Sequence, residues 1–162
     1  MKHILKINLL VLTFLLMGCI DMKPEKNQEQ DYKQAFPKGE KITNNNFTGT
    51  AWLQMLVNNN SIYNTSIGNV TFEPGARTNW HKHPGGQILL VTDGKGYYQE
   101  KDKPAQLIQK GDVVRIPPDT EHWHGASSDS SLTHIAISPN LQKGSVEWLK
   151  PVSDEEYARS PK

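Results

Sequence analysis

From Phe47 to Ser138 turn signals interrupt the chain so often that no long helix fits between them. Trp52 to Val57 is apolar except for Gln54 and ends at Asn58-Asn59-Asn60. Ile67 to Phe72 alternates through Val70 and stops at Pro74-Gly75. Trp80 to His83 and Gln87 to Thr92 flank Pro84-Gly85-Gly86, and Asp93-Gly94 predicts a hairpin turn. Tyr97 to Gln99, Gln106 to Gln109, Val113 to Ile116, Glu121 to Gly125 and Leu132 to Ser138 follow. Strands this short, with turns at this spacing, predict an all-β sandwich or barrel. The end of the chain differs: Ser153 and Glu156 have capping-box spacing and predict a short helix over Asp154 to Arg159.

Two strands of this pattern carry His-x-His. Residues two apart in a strand share a face, so His81 and His83 can aim at one point. The Pro84-Gly85-Gly86 turn can swing Gln87 back toward them, and His122 can close the set from a distant strand. His124 shares the face of His122, and His134, Ala136 and Ser138 share one face of the later strand. If that face is inward, His124 and His134 are two imidazoles in the interior that need not bind the ion. An unperturbed pKa of about 6.5 makes either a proton carrier at neutral pH. By the same alternation Trp80 and Trp123 point away from the ligands, and with Tyr97 and Tyr98 they read as packing. Thr78 is a candidate for the rim. Arg77 and Arg115 could meet an anionic substrate, although arginine is ordinarily a solvated surface residue.

The first residues read as a separate element. Lys2, His3 and Lys6 precede an apolar run from Leu9 to Met17, then Gly18-Cys19. That is a charged region followed by an apolar stretch too short for a comfortable span. It is similar to a bacterial lipoprotein leader, with residues 1–18 removed and Cys19 lipidated. Residues 19–45 are polar, with Pro24 and Pro37, and read as a tether between the membrane and a domain over 46–162. This predicts a lipid-anchored protein of the bacterial cell envelope. Cys19 is the single cysteine, which excludes a disulfide framework and thiolate metal ligands. Eighteen lysines and arginines against seventeen acidic residues leave no basic footprint for nucleic acid.

Gly75, His81, His83, Gln87 and Gly94, and then Gly111, Pro117 and His122, have the spacing of two known motifs. They resemble the paired signatures of the cupin superfamily, with Gln87 where glutamate is usual and Asp119 where glycine is usual. Val70 to Thr78, Trp80-His81, His122 to Ala126 and Thr133-His134 resemble a small single-domain branch. That branch includes manganese-dependent cupin hydroxynitrile lyases and carboxymuconolactone decarboxylase-associated cupins. The resemblance implies a double-stranded β-helix, a jelly-roll-like barrel, with a short C-terminal helix. It also implies one divalent metal per chain, manganese first, on His81, His83, Gln87 and His122. A homodimer and a small-molecule substrate are implied as well. In the hydroxynitrile lyases a glutamine stands where this chain has Ser138, so a hydrogen-bonding group is shortened here.

Neutral imidazoles with an oxygen donor also suit iron, zinc or nickel. An amide in place of a carboxylate leaves the full charge of the ion on its shell and favours an anionic ligand. Three functions are compatible with such a site. The first is Lewis-acid chemistry of lyase or isomerase type, with His124 or His134 moving a proton. The second is an iron-dependent dioxygenase, and the third a non-catalytic envelope protein that binds a small ligand or metal. The two extra imidazoles favour the first, since a binding site does not require them.

Overall fold

A computed structural model describes residues 34–60 and 62–161. The leader, Cys19 and most of the tether lie outside the described residues. No helix among the described residues is long and apolar enough to cross a membrane.

The described residues form twelve strands: β1 (Glu40–Lys41), β2 (Phe47–Thr48), β3 (Ala51–Asn60), β4 (Thr65–Phe72), β5 (Arg77–Thr78) and β6 (His81–Lys82), then β7 (Gln87–Glu100), β8 (Gln106–Gln109), β9 (Val113–Ile116), β10 (His122–Ala126), β11 (Leu132–Pro139) and β12 (Glu147–Trp148). All pairings are antiparallel. One curved sheet follows the order β1-β3-β4-β11-β7, with β9 on the free side of β7. The other is β8-β7-β10-β5-β2, and β6 with β12 also joins β10. The all-β fold expected from the turn spacing is therefore present. Helix α1 (Asp154–Ala158) begins at Ser153, whose side chain accepts from the Glu156 N–H while Glu156 accepts from the Ser153 N–H.

The expected hairpin at Asp93-Gly94 is not there. β7 runs straight through it and belongs to both sheets: Gln87 to Leu90 pairs with β9, and Lys95 to Tyr98 pairs with β8. Opposite the break, Thr133 pairs with Asp93 and His134 with Val91, so Thr92 is bulged out. Gly94 makes the bend with φ of 72°, and a Cβ there would sit 1.9 Å from the Ser131 carbonyl oxygen. An Asp-Gly pair closes a hairpin when its flanking segments pair with each other. Here they pair with different strands, so the glycine bends one strand instead.

The folded part also begins before residue 46. β1 pairs Glu40 with Leu53 and Lys41 with Trp52, and Ile42 packs on the core. Lys38 pairs with Glu73, and the Pro37 carbonyl accepts from Asn69 Nδ2. These contacts correct the tether boundary: polar composition did not prevent the segment from joining an open sheet edge, where the backbone supplies the bonds.

Between the sheets, Val70, Phe72, Leu89, Val91, Tyr98, Ile116 and Leu132 form the main core. A second cluster covers the opposite face of β10, where Trp80, Tyr97, Trp123 and Val152 pack with Leu149 and Tyr157. Trp80 and Trp123 thus pack as alternation predicts, while Tyr98 belongs to the inner core.

Candidate metal centre

The inner face of the second sheet collects the histidines. β6 and β10 place His81 directly opposite His122. Their rings lie 4.2 Å apart between centroids, and His83 lies 5.4 Å from His81. His83 stands just past β6, in the turn, rather than on a strand. One ring nitrogen from each of His81, His83 and His122 falls within 4.8 Å of the other two. The turn then reverses: the Gly86 N–H donates to the His83 carbonyl, and Gly86 has φ of 82°. That reversal brings Gln87 to the group, with its Oε1 3.1 Å from His122 Nε2.

The outer nitrogens fix which atoms are available. His81 Nδ1 lies 2.9 Å from the Asn79 carbonyl, and His122 Nδ1 lies 2.8 Å from the Thr120 carbonyl. A carbonyl can only accept, so each Nδ1 carries the proton and each Nε2 keeps a lone pair. His83 Nδ1 lies 3.5 Å from Ser138 Oγ, a hydroxyl that can donate or accept and so does not fix the His83 tautomer. Sequence reasoning missed the two carbonyls, although both precede their histidine by two residues. Trp148, on β12, was missed as well; its ring lies 4.9 Å from that of His81.

Burial keeps these rings neutral. It pushes His83 and His122 down to about 4, and it holds His81 well below the ordinary imidazole value, helped by His122. Three neutral imidazoles, two of them with the Nε2 lone pair fixed toward the group, and one amide oxygen fit a divalent cation. Between Gln87 Oε1 and His122 Nε2 two lone pairs meet at 3.1 Å, a contact that a cation satisfies. Turning the amide over would let its NH2 donate to His122, so the contact also suits the metal-free protein.

His124 stands beside this group, and His134 packs behind His124. The His124 ring lies 5.2 Å from His81 and 4.8 Å from His134. His134 Nε2 is 3.3 Å from His124 Nδ1, and both residues are buried. Burial pushes His134 down to about 4 and holds His124 well below its ordinary value. With both rings neutral, one donates to the other. The far atoms, His124 Nε2 and His134 Nδ1, have no hydrogen-bond partner among the described residues. Phe72 packs on both rings. Strand parity at His81, His122, His124 and His134, and the turn at His83 to Gln87, therefore bring all six expected side chains to one interior.

Two neighbouring expectations change. Thr78 is buried, not at a rim, and its Oγ1 accepts from the His124 N–H. Arg77 is not a solvated arginine: it is 5% exposed, donates to the Val152 carbonyl and pairs with Asp154. It fastens the C-terminal segment to β5, and its ring partner Tyr157 lies 4.7 Å away. Arg115 is exposed as expected.

The family described as Cupin domain matches residues 68–138, the stretch that holds all six side chains. An (R)-mandelonitrile lyase from Granulicella tundricola is 43% identical over 113 residues, covering 70% of this chain and 86% of that protein. The crystal structure of a cupin-like protein from Thermotoga maritima is 52% identical. It covers 79% of this chain and 98% of that one, with a TM-score of 0.77. The DMSP lyase DddQ from Ruegeria pomeroyi is 15% identical, with a TM-score of 0.55 over 64% of this chain and 54% of that one, a likeness of fold.

Proposed function

The chain belongs to the cupin superfamily, and from that we propose a metal-dependent lyase in which His81, His83, Gln87 and His122 hold one divalent ion. Manganese is our first choice of ion, and a small α-hydroxynitrile is the first substrate class. A bound ion would supply Lewis acidity to a substrate oxygen. The donor set around it is neutral, so the oxygen of an alkoxide is better matched there than an uncharged group.

The protein's own contribution is a dry proton acceptor. His124 Nδ1 and His134 Nε2 share one proton over 3.3 Å. When a proton arrives at the free nitrogen of one ring, the shared proton can shift to the other ring, spreading the charge over both. In cyanohydrin cleavage the hydroxyl proton would pass to this pair as the oxygen electrons form the carbonyl. The bond to the nitrile carbon breaks, cyanide leaves with that electron pair, and the proton returns to it. Phe72 against both rings keeps water from competing.

The observation that carries this reading is the buried imidazole pair beside a neutral set of four donors. Neither an iron-dependent dioxygenase nor a plain binding protein requires that pair. The Granulicella similarity supports the choice of substrate class. The test is release of aldehyde from mandelonitrile by the manganese-loaded protein and by His134→Ala. The variant should keep its metal and lose turnover by about 100-fold or more. Undiminished turnover in the variant would remove His134 from the mechanism, and no turnover in the wild type would remove the cyanohydrin.

A further inference from the structure

We infer that Glu100 supplies, from the strand beside His122, the negative charge that Gln87 does not bring to the metal group, and that it thereby strengthens cation binding without being a ligand. This rests on the metal-centre reading above.

In the β7–β10 ladder Glu100 pairs with His122 and Tyr98 pairs with His124. Directly paired residues point to the same face, so Tyr98 and Glu100 point inward with the two histidines. Their neighbours confirm the parity: Gln99 faces outward and accepts from Trp123 Nε1 at 2.8 Å. The Tyr98 ring lies 5.9 Å from that of His122. Its hydroxyl donates to Glu100 Oε1 at 3.1 Å, and Lys103 Nζ holds the other carboxylate oxygen. The Glu100 side chain is only 21% exposed.

The local charge makes this carboxylate consequential. Three imidazoles kept neutral by burial and one amide bring no anion to a doubly charged ion. An interior ion is stabilised by a nearby opposing charge, because low polarity leaves its field poorly screened. Glu100 is the carboxylate on the inner face of the strand paired with His122. Lys103 first, and Tyr98 after it, hold its carboxyl below the usual carboxylate range. The Lys103 side chain is 59% exposed, so water screens its charge better than it screens that of Glu100. Gln87 therefore removes a charge from the shell, and Glu100 returns one at longer range, without giving up a coordination position.

Manganese(II) is titrated calorimetrically into the metal-stripped full chain near neutral pH, for the wild type, Glu100→Gln and Lys103→Glu. Glu100→Gln keeps the side-chain shape and should weaken binding by about tenfold, with thermal stability of the metal-free protein unchanged. Lys103→Glu breaks the same ion pair but adds negative charge, and it should tighten binding by about threefold. A purely structural ion pair would make both variants weaker binders. Equal weakening in the two, or no change in Glu100→Gln, overturns the inference. A wild type that binds no manganese overturns the metal-centre reading instead, before either variant is measured.

Discussion

His122, Trp123 and His124 are consecutive on one strand, yet they serve two regions that behave differently. The inner region gathers His81, His83, Gln87, His122, His124 and His134, whose polar atoms face one another. The outer region gathers Trp80, Tyr97, Trp123, Val152 and Tyr157, which bury apolar area beneath the C-terminal segment. The outer side is held as an ordinary core is held, with Trp123 fully buried and its Nε1 bonded to Gln99. Inside, five imidazoles sit in a place unfavourable for charge, and among the described residues the fully buried His124 Nε2 and His134 Nδ1 have no hydrogen-bond partner. The contrast teaches that one β ladder can separate stability from chemistry by residue parity alone.

Acid should expose the difference most strongly. In the metal-free protein, burial pushes His83, His122 and His134 down to about 4. An unfolded imidazole titrates near about 6.5, so the unfolded chain takes up protons first as pH falls. Stability is then complete above about pH 6.5 and declines toward pH 4, by up to about 1.4 kcal/mol per histidine per unit. Urea titrations of the metal-free protein across that window measure it, and a flat profile would mean that the inner face is wet.

Trp123→Ala is the complementary probe. It should cost about 3–5 kcal/mol in urea unfolding through the cavity it leaves. The inner donors lie on the other face of β10, so protein that remains folded should bind metal as the wild type does. A large loss of affinity in folded variant would show that the two faces are coupled.

Period-two spacing made much of the inner face legible before any coordinates. The strand rule placed His81, His122 and His124, and His134 followed from the same parity, while His83 converges from the turn just past its strand. Gln87 was legible because a glycine turn of fixed length returns it to its starting point. Other features depend on partners far away in the chain. Asp93-Gly94 reads locally as a hairpin, and only the separate pairing of its two flanks makes it a bend. Arg77 reads as a surface residue because Val152 and Asp154, which bury and hold it, are more than seventy residues away. The carbonyls of Asn79 and Thr120 leave no mark in the sequence, since any residue carries one. Residues near 40 look like linker because a strand at a sheet edge needs no apolar pattern of its own.

The account stands on the inner face being one metal site. Elemental analysis of the purified full chain and of His122→Ala, after saturation with a divalent metal and removal of excess, tests this most directly. The account predicts about one ion per wild-type chain and essentially none retained by the variant. Equal metal content in the two proteins, or none in the wild type, would contradict it.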